Sequence, residues 1–235
     1  MENKNKNTIK NENNVKNGNT AANNITELVM ILDRSGSMSH LTDDTIGGFN
    51  GVIKEHRTGE GEVLVTTILF DDESETIHDR INIRDLELLT DKEYKCRGCT
   101  ALCDALGKTI KHIESVHRYI RPEDVPSNVL FVITTDGMEN SSRCYSSSAV
   151  KELIEAKQKE ADWEFLFLGA NIDAVETAAE LGIDSGHSTN YVADSKGEDL
   201  KYRAVADAVL RRRCGRDIEG WQDEVSKDYE SRLGK

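Results

Sequence analysis

Residues Leu28 to Ser37 read Leu-Val-Met-Ile-Leu-Asp-Arg-Ser-Gly-Ser. The apolar run from Leu28 to Leu32 is too short for a helix and has the character of a strand buried on both faces. It stops on Asp33, and Ser35 and Ser37 follow at once. A buried strand holds its last residue rigidly, so these three side chains can turn their oxygens into one small volume just past the strand end. Hard cations are bound by such oxygens.

Outward from this strand, short β-branched runs alternate with longer stretches at helical spacing. That pattern predicts a doubly wound α/β fold: a mostly parallel sheet with helices on both faces and one antiparallel edge strand. Strands are expected near 27–33, 62–70, 75–81, 128–135 and 163–168, with a weak one near 189–192. Helices are expected over 43–57, 101–118, 173–181 and 198–213, and another begins at the serines of 146–148. Only Asp71, Asp72 and Glu73 separate the second and third strands, so these form an antiparallel hairpin with the third at the sheet edge. The strand over 128–135 also stops on an acid, Asp136. In doubly wound sheets ligands bind beyond the carboxyl ends of the strands, where strand order reverses, and Asp33 and Asp136 are the natural neighbours of that crevice.

Composition narrows the function. Residues 1–24 hold ten asparagines and little that is apolar, and read as a disordered tail. The tail's four lysines and two glutamates leave −15 of the net −13 for the remainder. So acidic a body disfavours nucleic acid and anionic membranes as partners and favours cations and basic surfaces. No apolar run reaches the roughly 20 residues of a membrane span. The first lysines lead into asparagines where an apolar signal segment would lie, so a cytoplasmic location is expected. Five cysteines in such a compartment default to free thiols. Residues 214–235 read as a polar tail with a short helix around Trp221.

Three segments point to one site: Asp33, Ser35 and Ser37; Gly98 and Thr100 ahead of a helix; and Thr134, Asp136 and Gly137 at the end of the fourth strand. In order and spacing they resemble the metal-ion-dependent adhesion site (MIDAS) of the von Willebrand factor type A (vWA) domain, over roughly residues 25–195 within a domain expected to span 25–213. The likeness is to stand-alone intracellular vWA proteins of bacteria. It implies that Ser35, Ser37 and Thr100 give hydroxyl ligands to one divalent cation, Mg²⁺ or Mn²⁺. Asp33 and Asp136 would bind directly or through water. It further implies that an aspartate or glutamate of a protein partner completes the coordination. Physical chemistry agrees, because a shell of neutral hydroxyls and few carboxylates leaves a cation able to accept a charged oxygen from outside.

Blander roles are open to several residues. Thr100 suits a helix N-cap, as does Asp173. Arg34 and Met38 are expected on the rim of the site, as are Glu139 and Asn140, while Asp71, Asp72 and Glu73 read as a solvated turn. Two other functions compete with a binding module. A phosphoryl-transfer enzyme could use Asp33 as nucleophile, although such enzymes expect a second aspartate where Ser35 stands. A zinc- or redox-responsive adaptor could use Cys96, Cys99, Cys103 and Cys144, given the Cys-x-x-Cys spacing of the first two. No catalytic residue is assigned.

Overall fold

In the computed structural model, residues 23–233 are described. The disordered-tail reading therefore lies outside the described residues except at Asn23 and Asn24. Asn23 is bonded to the Val125 carbonyl at 2.7 Å and to the Ser127 amide at 3.1 Å, and the Asn24 carbonyl accepts from Glu62.

Six strands form one sheet in the order β3-β2-β1-β4-β5-β6. They are β1 (Ile25–Asp33), β2 (Glu62–Phe70), β3 (Ser74–Asn82), β4 (Asn128–Thr135), β5 (Trp163–Gly169) and β6 (Ser188–Asn190). Every pairing is parallel except β2 with β3, which is the expected antiparallel edge. Chain order reverses between β1 and β4, so the strands ending at Asp33 and Thr135 lie side by side with Asp136 one residue beyond.

Alternation along β1 sorts its side chains to two layers. Leu28, Met30 and Leu32 pack with Phe49 and Ile53 of α1 (Thr42–His56) and with Val205 and Val209 of α5 (Ser195–Arg213). Val29 and Ile31 face Leu106 and Ile110 of α2 (Leu102–Tyr119) and Ile154 of α3 (Ser147–Ala161). Full burial of each such side chain is worth about 1.5–3 kcal/mol, and β1, central and covered on both faces, is thereby held at a fixed height. Ser146 caps α3 by accepting from Ala149, and Asp173 caps the short α4 (Ala174–Glu180) by accepting from Glu176, as expected.

The segment after Cys214 corrects the reading of a polar tail. It carries α6 (Asp223–Arg232), and Ile218, Trp221 and Val225 are buried in the same core layer as α1 and α5. The Trp221 indole donates to the Gly186 carbonyl at 3.0 Å. Residues 83–101, which form neither helix nor strand, also contribute to that core through Ile83, Leu86, Leu89 and Tyr94.

Candidate metal centre

Asp33 ends β1 with its side chain fully buried, and each of its oxygens has a donor. Oδ1 accepts from the Ser35 amide at 2.6 Å, and Oδ2 from the Thr135 hydroxyl at 2.6 Å. The buried Tyr94 hydroxyl donates to the Asp33 carbonyl. Burial raises the Asp33 carboxyl above its ordinary value; the bonds from Thr135 and Ser35 oppose that shift, and the neighbouring charge of Asp136 adds to it. Thr135 also accepts from the Gly137 amide at 3.2 Å, so one hydroxyl organises both the first aspartate and the turn beyond β4.

The rest of the expected ligand set converges beside it. The Ser35 and Ser37 hydroxyls lie 3.0 Å apart, and Ser37 donates to Asp136 Oδ1 at 2.5 Å. A Cβ placed on Gly137 would meet Thr100 Oγ1 at 3.1 Å and Ser37 Oγ at 3.9 Å, so three separate loops meet there and leave space that only a glycine preserves. Asp136 is 4% exposed, yet its Oδ2 has no hydrogen-bond partner. A buried carboxylate oxygen without a donor is costly. A carboxylate with one such oxygen and the other bonded to Ser37, itself next to Ser35, has the donor chemistry that fits a hard divalent cation.

Thr100 does not cap α2. Its hydroxyl makes no hydrogen bond among the described residues, while the cap falls to Glu139, whose Oε2 accepts from the Cys103 amide at 2.7 Å. Glu139 also accepts from the amides of Ser141 and Ser142, at 3.0 and 2.8 Å, and from the Ser142 hydroxyl at 2.7 Å. Burial pushes its carboxyl up, but these donors outweigh burial and hold it below its ordinary value. Asn140 clasps Thr100, its side-chain oxygen accepting from the Thr100 amide and its own amide donating to the Thr100 carbonyl, both at 3.0 Å. Capping is thus moved off Thr100, which leaves that hydroxyl available.

The rim reading needs correction at Arg34 and Met38. Met38 is fully buried, and Arg34 is 3% exposed with its guanidinium on Asp71 at 2.8 Å and Glu75 at 2.7 Å. Glu139 is a structural acceptor, and Asn140, although exposed, is spent on Thr100. Gly36, Ser37, Met138 and Asn140 are among the residues open to solvent around the site, Met138 being 70% exposed. Asp71 is likewise buried and paired, not a solvated turn residue. A signal for this pairing existed: the parallel register sets Asp33 opposite Phe70, so the next residues, Arg34 and Asp71, are neighbours of opposite charge. Thr135 and Tyr94 went unassigned in the sequence. The first is a hydroxyl directly ahead of the second acid, but nothing local marks Tyr94.

Beneath the site Lys201 is fully buried, its Nζ 2.7 Å from Glu198 and 4.4 and 4.6 Å from the ring centroids of Tyr191 and Tyr202. Burial lowers its ammonium, and Glu198, Asp136 and Asp33 oppose that shift.

The cysteines do not converge. Cys96 packs against the core layer of α1 and α5, whereas Cys103 belongs to the opposite layer, across the sheet. All five are free thiols, and among the described residues no group of three or more His, Cys, Asp or Glu side chains is arranged to hold a metal.

The fold is that of vWA domains. A von Willebrand factor type A protein from Catenulispora acidiphila superposes with a TM-score of 0.54 at 12% identity over 82% of this chain. VWA2, the ArnB paralog of Sulfolobus acidocaldarius, gives 0.50 at 16% over 80%. Proximal thread matrix protein 1 from the mussel byssus, with a zinc-occupied MIDAS motif, gives 0.51 at 13% over 77%. The chain spans 44%, 45% and 46% of the length of these three structures. No protein-family model and no curated protein matches the sequence.

Proposed function

We propose that this chain is a divalent-cation-dependent protein-binding module that captures a carboxylate side chain of a protein partner. Ser35, Ser37 and Thr100 hold the cation through their hydroxyls, and Asp33 and Asp136 hold it directly or through water. The observation that carries this reading is the buried, unpartnered Oδ2 of Asp136, on a carboxylate whose Oδ1 is bonded by Ser37 where three loops meet. Mg²⁺ is the favoured ion and Mn²⁺ an equivalent one, since both accept oxygen donors in octahedral shells that keep some water. The bound ion supplies a Lewis-acid position that the partner's carboxylate completes.

The protein's own residues do the positioning. Thr135 and the Ser35 amide fix Asp33, while Asn140 and Glu139 fix the Thr100 loop. Met138, exposed two residues beyond Asp136, offers an apolar contact next to the captured carboxylate. The reading is of a binding module, not a phosphoryl-transfer enzyme, because both Asp33 oxygens are engaged by donors of this chain instead of being presented as a nucleophile. Unpaired thiols at all five cysteines suit the reducing cytoplasm in which we place it. Among the described residues no helix is long and apolar enough to cross a membrane.

The test is capture of partner on immobilised wild-type chain in Mg²⁺ and in EDTA, with Asp136→Ala as the control. Capture is expected in Mg²⁺ alone and only by the wild type. Equal capture in all three conditions would place the interface elsewhere.

A further inference from the structure

The β2–β3 turn lies outside the five expected ligands, yet its bonds run into two of the three loops that carry them. Asp71 Oδ2 accepts from Arg34 Nε at 2.8 Å and from Arg97 Nε at 2.9 Å. Arg34 sits between Asp33 and Ser35, and Arg97 stands three residues before Thr100. Asp71 Oδ1 is itself held by the Glu73 amide at 2.9 Å. One 1%-exposed carboxylate therefore joins the Asp33–Ser37 segment to the loop of Thr100.

Backbone bonds follow the same line. The Asp71 carbonyl accepts from Ala101 at 2.8 Å, the Arg34 carbonyl from Arg97 at 2.9 Å and the Gly98 carbonyl from Gly36 at 3.2 Å. Asp72 adds a bond from the Cys99 amide at 3.0 Å. Gly98 has φ +65, and a Cβ there would fall 1.7 Å from Asp72 Oδ1, so the loop approaches the turn as closely as a glycine allows. A turn serving only to end a hairpin would need none of these contacts to the chain around Thr100.

We propose that Asp71 is a positioning residue of the metal centre, which sets the Thr100 hydroxyl against Ser35 and Ser37 by pairing with Arg34 and Arg97 at once. The proposal rests on the metal-binding reading above. Charge-assisted bonds fix orientation better than neutral ones, and partners behind metal ligands change metal affinity by about 10–100-fold when lost.

The test measures Mn²⁺ affinity of the full chain by titration calorimetry, with amide hydrogen exchange of the metal-free protein alongside. Asp71→Asn keeps the shape of the side chain and is expected to weaken Mn²⁺ about 10–100-fold and to speed exchange across 97–101. Arg97 is 60% exposed in its side chain, so Arg97→Gln spares the fold if Asp71→Asn does not; it is expected to weaken Mn²⁺ and Arg97→Lys to recover most of the loss. In a Thr100→Ala background the effect of either substitution should nearly vanish, since coupled residues are not additive. An unchanged Mn²⁺ affinity, or the same loss in the Thr100→Ala background as in the wild type, would overturn the role of Asp71 while leaving the metal reading standing. A wild-type chain that binds no Mn²⁺ overturns both.

Discussion

The Thr135 hydroxyl donates to Asp33 Oδ2 at 2.6 Å across the boundary between β4 and β1, tying together the ends of the two strands where the order of the sheet reverses. This bond orients the first aspartate of the site and lowers the cost of keeping it ionised while buried. Thr135→Val removes the hydroxyl at nearly constant shape. Mn²⁺ affinity is expected to fall about 10–100-fold, as for other partners of metal ligands, with the secondary structure unchanged by circular dichroism.

Metal removal has a thermodynamic signature. A ligand bound by the folded chain alone raises stability by mass action, about 2.7 kcal/mol at a hundred times its Kd. The melting temperature should therefore rise with Mg²⁺ or Mn²⁺ over EDTA in the wild type and stay flat in Asp33→Ala. Equal melting temperatures for the wild type with metal and with EDTA would sink the metal reading.

Thr100 and Glu139 separate two roles that usually coincide at a helix start. Thr100→Ala is expected to weaken cation binding to a level that titration still measures, with little change in stability, because its hydroxyl caps nothing. Glu139→Ala should cost about 0.5–2 kcal/mol, the range of a lost cap, since it leaves the Cys103, Ser141 and Ser142 amides without their acceptor. Denaturant melts in EDTA would show the reverse ranking if Thr100 carried the cap.

Glu114 lies 2.6 Å from Lys157 and 3.0 Å from Lys111, and these two lysines hold its carboxyl down at about 2 from the ordinary 4.5. A depressed carboxyl contributes stability that is present above the unfolded value and is lost as pH falls toward the folded one. Glu114→Gln should thus cost on the order of 1 kcal/mol at neutral pH after solvent screening. The difference from wild type should shrink between about 4.5 and about 2. A gap that persists unchanged through that window would place the effect in packing instead.

Trp221 tests where the domain ends. Trp221→Ala should destabilise the chain by about 3–5 kcal/mol, the range for a large buried aromatic, because the ring is 3% exposed and its indole bonds Gly186. A loss under 1 kcal/mol in urea melts would restore the reading of a polar tail.

The sequence by itself determined the sheet and its antiparallel edge, and it named the oxygen-bearing side chains that the fold brings together past β1 and β4. Leu28 to Leu32 could only be a strand covered on both faces, and an acid directly after each of two such strands had to emerge at the same end of a parallel sheet. The polar tail was misread because Ile218, Trp221 and Val225 are too sparse to mark a periodic face, and their partners lie on α5 and β6. Only the tertiary structure decided which residues hold the donors in place. Asp33 meets Thr135 across 102 residues, Cys103 meets Glu139 across 36 and Arg34 meets Asp71 across 37. Periodicity reports how a side chain points from its own backbone, whereas these contacts depend on which strands become neighbours. Rim and support residues look alike in a sequence for that reason: Arg34, Met38, Glu139 and Asn140 are polar or apolar loop residues until packing buries them or gives them a partner.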